Sequence, residues 1–144
     1  MPENKLEEII IKQDITEVIA RYFFCLDEKN TSVKEMRNFF TDNASVKMPT
    51  VRKATGIENI AEVHRLMLSQ FEFVHHVLGV LLFTFHPNGE VEVKCQASAL
   101  YKNKSADLKN IFSSERLVCV ARKCDDNQWR ICYLDVQFLN KLEI

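Results

Sequence analysis

Two adjacent histidines, His75 and His76, open the apolar run FVHHVLGVLLFTF between Phe73 and Phe85. Imidazole is the side chain whose ordinary titration falls near neutrality, so either one is a candidate general base. Asp27 ends the string ARYFFCLD, one helical turn beyond Phe23 and beside an apolar stripe, where a carboxylate is costly without a partner. Such a carboxylate can orient a histidine, or it can be a helix-end residue bonded to backbone or water. In a strand the two histidines point to opposite faces, so at most one of them meets the helices. Alternation groups His76 with Leu78, Val80 and Leu82, and His75 with Val77, Leu81 and Phe83. Parity alone leaves open which set lies inside, and for either residue a hydrogen-bonded structural histidine is the commoner outcome. His64, next to Arg65, and His86, before a Pro-Asn-Gly turn, are expected in solvent. Asp135, in YLDVQF, is a further acid or base candidate, or else an outer-face residue paired with Arg116 or Arg130.

The elements that must position these groups follow from periodicity. Leu6, Ile11, Ile15, Val18, Ile19, Tyr22, Phe23 and Leu26 recur at three- and four-residue spacing, which predicts an amphipathic helix over about 5–28. SVKE at Ser32–Glu35 has the form of a helix-start capping box and predicts a short helix to about Phe40. TDNAS reads as a turn and SVKMP as a short strand closed by Pro49. Gly56 and IENIAEVHRLMLSQF predict a third helix, with Ile57, Ile60, Ala61, Val63, Leu66, Met67 and Phe71 toward the core.

After that the period changes. Residues 74–85 and 91–102 read as strands joined by HPNGE, with Asn-Gly at the tip of the hairpin. FSSERLVCVARKC and WRICYLDVQFL read as two more strands, Trp129 and Arg130 packing and capping the last. Three helices and four long strands make an α+β fold with the helices on one side of a largely antiparallel sheet. From Val77 to Phe83 both strand faces are apolar apart from Gly79, so the second face needs a cover, and a second copy of the chain supplies one.

At 144 residues and 47% hydrophobic composition the chain is the length of one domain able to bury a core unaided. Lys+Arg 19 against Asp+Glu 20, a net charge of −1, gives no electrostatic reason to expect nucleic acid or an anionic membrane. The five cysteines are scattered and form no CxxC pair, which predicts reduced structural thiols in a cytoplasmic protein. MPENKLEEII is acidic where a signal peptide is basic, and charges interrupt the apolar stretch behind it, so neither secretion nor a membrane span is expected.

Taken in order, DITEVIARYFFCLDEKN, MRNFFTDNASVKMP, TGIENIAEV, FVHHVLGV and WRI resemble the SnoaL-like branch of the nuclear-transport-factor-2-like superfamily, related to polyketide cyclases and scytalone dehydratase. The resemblance spans nearly the whole chain and implies a single domain over residues 1–144. It implies a cone, in which a strongly curved sheet wraps the first helices around an apolar pocket. In the dehydratases of this group an aspartate ending the first helix meets a histidine at the start of the long hairpin. Those features fall on Asp27 and His76, so the resemblance selects His76 over His75.

The implied catalytic pair is therefore His76 as general base and Asp27 as its orienting partner. Phe23, Met48, Ser98 and Tyr101 are the candidates for substrate contact, with a structural aromatic as the other reading of Tyr101. The second pocket histidine of the dehydratases has no counterpart in CQASALYK, and their water-activating tyrosines are not evident, which argues against a scytalone-type dehydration. The expected activity is that of a lyase or isomerase, dehydratase- or cyclase-like, on a small hydrophobic carbonyl compound. The alternative is a non-catalytic module that binds a small ligand or dimerises. No metal or organic cofactor is implied, and the expected protein partner is the chain itself, as a homodimer or homotrimer through the outer sheet face.

Overall fold

The computed structural model describes residues 1–49 and 51–144, without the side chains of Val51 and Arg52. Helix α1 (Lys5–Asp27) starts where the Asn4 side chain accepts the Glu7 N–H, and it buries Ile15, Ile19, Tyr22, Phe23, Cys25 and Leu26. Leu6, expected on that stripe, lies in solvent at the helix start. Helix α2 (Val33–Met36) is a single turn capped by Ser32. It stops short of Phe40 because the chain is already extended there: strand β1 (Phe40–Met48) absorbs the TDNAS segment that reads as a turn. Strand β2 (Val51–Thr55), which periodicity does not announce, precedes helix α3 (Ile57–Ser69). Four long strands follow: β3 (Phe71–Phe85), β4 (Val91–Asn103), β5 (Ile111–Lys123) and β6 (Trp129–Glu143).

The six strands form one mixed sheet in the order β2-β1-β6-β5-β4-β3, antiparallel except for the β1–β6 pair. Helix α1 touches β3 at one edge and β6 three strands away, so the sheet curls around it, and α3 packs on β1, β2 and β3. The core lies between the helices and the inward face of the sheet, where Val91, Val93, Cys95, Ala97 and Ala99 of β4 alternate with outward residues. Among the described residues no helix is long and apolar enough to cross a membrane.

A bulge in β3 changes the expected parity. Between Leu78, opposite Ala97, and Leu81, opposite Cys95, β3 carries one residue more than β4. The inward set is thus Val74, His76, Leu78, Leu81 and Phe83, and the outward set His75, Val77, Val80 and Leu82. Strict alternation pairs His76 with Val80 and Leu82, and the bulge overturns it. Gly79 permits the bulge, since a Cβ there would stand 2.8 Å from the Gln96 carbonyl oxygen.

His64 is not in solvent but among the most buried side chains of the protein. Its Nδ1–H donates to the Ile60 carbonyl at 2.7 Å, which leaves Nε2 to accept the Tyr22 hydroxyl at 2.6 Å and ties α3 to α1. The helical face of α3 is rotated accordingly, with Leu68 buried and Leu66 exposed. Both polar groups are satisfied, so the pair costs little as long as the ring is neutral.

Burial pushes the His64 imidazole down from 6.5 to about 4, against a smaller upward pull from the Ile60 bond. In the unfolded chain the ring takes up its proton near its ordinary value, so between those two pH values the unfolded state binds more protons. The stability this contributes is complete above about pH 6.5 and is lost as the pH falls toward 4. Denaturant unfolding at a series of pH values should show a loss on the order of 3 kcal/mol across that window. His64→Phe should flatten this part of the profile, and an unchanged slope would show that other groups cause it.

Candidate functional site

Asp27 is the last residue of α1, where the negative end of the helix dipole disfavours a carboxylate. It is held there by β3. As an edge strand, β3 has outward backbone groups without a strand partner, and the His76 N–H reaches Asp27 Oδ1 and Oδ2 at 3.1 Å each. The His76 ring adds a third contact, Nδ1 to Oδ1 at 2.7 Å. A carboxylate at that distance fixes the proton on Nδ1, so the neutral ring presents the Nε2 lone pair on its other side. His75, on the outward face, brings its own Nδ1 within 3.8 Å of Asp27 Oδ2 but is 59% exposed, against 3% for the His76 side chain.

Aromatic residues fix the plane of the ring. Phe23, one helical turn before Asp27, stacks on His76 with centroids 5.1 Å apart, and Tyr101 of β4 meets it edge-on at 5.7 Å. The Tyr101 hydroxyl lies 3.3 Å from His76 Nε2 and donates to Glu115 Oε2 at 2.8 Å, and Ser113 donates to the same oxygen at 2.7 Å. Tyr101, Glu115 and Ser113 thus form one hydrogen-bonded group in an apolar interior, and Asp27 with His76 forms another beside it. Burial, with the Glu115 charge second, pushes the Tyr101 phenol above its usual range, so it remains a donor.

His76 lines a cavity together with Tyr22, Phe23, Met48, Met67, Leu117 and Phe138, among others. The cavity is narrow, about 20 Å³, which is room for one water molecule. Exposed Pro49 and half-buried Met67 and Phe138 mark its mouth. Methionines re-pack at low cost, and an occupant larger than a water molecule would have to displace these side chains. Among the described residues no three His, Cys, Asp or Glu side chains gather as a metal ion would require.

The profile of the SnoaL-like domain matches residues 7–135. The chain belongs to the SnoaL-like family. No curated protein matches its sequence. Among solved structures, a candidate scytalone dehydratase from Novosphingobium aromaticivorans is similar with TM-score 0.83 and 14% identity, over 95% of this chain and 89% of that one. Hexachlorocyclohexane dehydrochlorinase LinA-type3 from Novosphingobium barchaimii is similar with TM-score 0.86 and 11% identity, over 98% and 94%. An uncharacterized Caulobacter vibrioides protein with a cystatin-like fold gives TM-score 0.74 and 15% identity, over 90% and 89%. At these identities the likeness shows the fold alone, an α+β cone of the nuclear-transport-factor-2-like kind.

Within this SnoaL-like cone, five of the six residues singled out by sequence come together: Asp27, His76, Phe23, Tyr101 and Met48 all line or border the cavity. Ser98 does not. On β4 it alternates with inward Ala97 and Ala99, and it borders an outer groove with Val77, Val80 and Leu139. Asp135 is likewise outward, between inward Leu134 and Val136. It accepts from Gln137 rather than pairing with Arg116 or Arg130, and Arg130 instead forms its ion pair with Asp126. The sequence reading missed Glu115. Its signal was parity, since Glu115 shares its strand face with Leu117 and Cys119, whose apolar character marks that face as inward.

The Asp27–His76 contact has a direct spectroscopic consequence. In proton NMR the His76 Nδ1–H should resonate well downfield of an ordinary imidazole N–H and exchange slowly. Asp27→Asn should move it upfield and speed its exchange. An unchanged signal would mean that the ring is held by other contacts.

Proposed function

We propose that this cavity is the site of a lyase or isomerase acting on a small hydrophobic carbonyl compound, with His76 Nε2 removing a proton from the carbon next to the carbonyl. The observation that carries this reading is the 2.7 Å Nδ1–Oδ1 contact, which leaves Nε2 for a substrate proton on a ring that lines an apolar cavity. As Nε2 takes the proton, Asp27 stabilises the imidazolium that forms, and Phe23 and Tyr101 keep the ring in plane with the substrate carbon. Dehydration and dehydrochlorination, named for two of the similar structures, are both eliminations in which carbon loses a proton, and that step suits a lone base of this kind. Met48, Met67 and Phe138 supply the apolar wall that orients a ring-sized substrate.

The reading is tested by carbon-proton exchange in D₂O with cyclohexanone and 2-tetralone as probes, followed by NMR. The protein should exceed an equal concentration of imidazole, His76→Ala should lower the rate by about 10²- to 10⁴-fold, and Asp27→Asn should lower it by less. Exchange that survives His76→Ala, or none above imidazole, would overturn the assignment. The narrowness of the cavity favours the second reading, a non-catalytic module, and absence of exchange from a folded protein would select it.

The outer face suits a second copy of the chain. Val77, Val80 and Leu82 of β3 are all more than half exposed there, beside Leu139 of β6, an apolar patch with Gln96, Arg116 and Gln137 at its edge. Light scattering should find a dimer or trimer, and Val80→Lys with Leu82→Lys should dissociate it without unfolding it. A monomer at all concentrations would remove the interface.

A further inference from the structure

We infer that Glu115 is the specificity-determining residue of the cavity, and that the ligand carries a hydroxyl group which donates to Glu115 Oε1. Glu115 is 3% exposed and lines the cavity between Tyr101 and Leu117. Its Oε2 is filled by two hydroxyl donors, Tyr101 and Ser113. Among the described residues nothing bonds Oε1, and no Lys, Arg or His forms an ion pair with the carboxylate.

A carboxylate offers about four acceptor positions, and Tyr101 and Ser113 take only those of Oε2, so Oε1 is left for an occupant of the cavity. A purely structural role for the Tyr101 and Ser113 hydroxyls would need one acceptor oxygen, which a glutamine or asparagine supplies without burying a charge. Plain alternation turns the group inward: Ser113, Glu115, Leu117 and Cys119 share the buried face of β5. The missing donor therefore arrives with the ligand.

A neutral hydroxyl fits this position better than an ammonium group. The walls are apolar, and an ammonium would place a second cation beside the imidazolium that His76 becomes on taking a proton. With Tyr101 bridging His76 and Glu115, the ligand lies with its acidic carbon toward Nε2 and its hydroxyl toward Oε1. The substrate class narrows to hydroxylated carbonyl compounds. This inference rests on the reading of the cavity as a ligand site.

The test compares phenol, its near-isostere fluorobenzene and benzylammonium, titrated against the isotope-labelled protein by NMR at the Tyr101, Glu115 and His76 amides. Phenol should bind at least about tenfold more tightly than fluorobenzene, as expected for a hydrogen bond to a charged acceptor, and more tightly than benzylammonium. Glu115→Gln keeps an acceptor for the two hydroxyls and turns an amide N–H₂ toward the cavity, so the phenol preference should fall below about threefold. In Glu115→Leu, checked for folding by its spectrum, the preference should vanish; should that variant fail to fold, Glu115→Gln decides alone. Equal binding of phenol and fluorobenzene, a preference for benzylammonium, no binding, or a phenol preference that survives Glu115→Gln would each overturn the inference. Phenol selectivity without carbon-proton exchange would overturn the proposed base and leave Glu115 in its role, whereas exchange without phenol selectivity would do the reverse.

Discussion

The site depends on one carboxylate. Asp27 stands at the end of a helix where the dipole is against it, and it stays because an edge strand brings a backbone N–H and an imidazole N–H to the same place. The contact joins residues 49 positions apart in sequence and fixes α1 against β3. The same bond that satisfies the carboxylate sets the histidine tautomer. Structural need and chemical capacity therefore coincide in one pair of residues.

Around this contact several buried polar side chains meet one another. Tyr22 and His64 close on each other between α1 and α3, with the last free imidazole nitrogen turned to Ile60. Tyr101 lies between His76 and Glu115, and Ser113 donates to the same Glu115 oxygen. These polar groups sit in a largely apolar core, and His76, Tyr101 and Glu115 line the cavity. That cavity is narrow, and flexible methionine side chains are part of its wall.

Much of the frame was legible. The helical spacing of Ile15, Ile19, Tyr22 and Phe23, the turn at HPNGE and the apolar strings after it were sufficient for the class of fold, because burial writes its period into the chain. The errors came where a local signal met a tertiary demand. Asp42, Asn43 and Ser45 look like a turn, yet they lie in strand β1, where Phe40 and Ser45 pair with β6 on either side of a register shift that spans Asp42 and Asn43. His64 looks polar and solvent-bound, yet the Tyr22 hydroxyl gives it a buried partner that no local pattern reveals.

By itself the sequence determined the periods, the first and third helices, the hairpin tip, and an aspartate at the end of the first helix with a histidine at the start of the long hairpin. Only the tertiary structure decided which residues share a face. An extra residue at Gly79 reverses the parity of β3, and so decides which of its later side chains line the interior. Strand period is two, so a single inserted residue sends every later side chain to the other side of the sheet. Such an insertion depends on what the neighbouring strand offers across the ladder, and that partner lies far away in the chain.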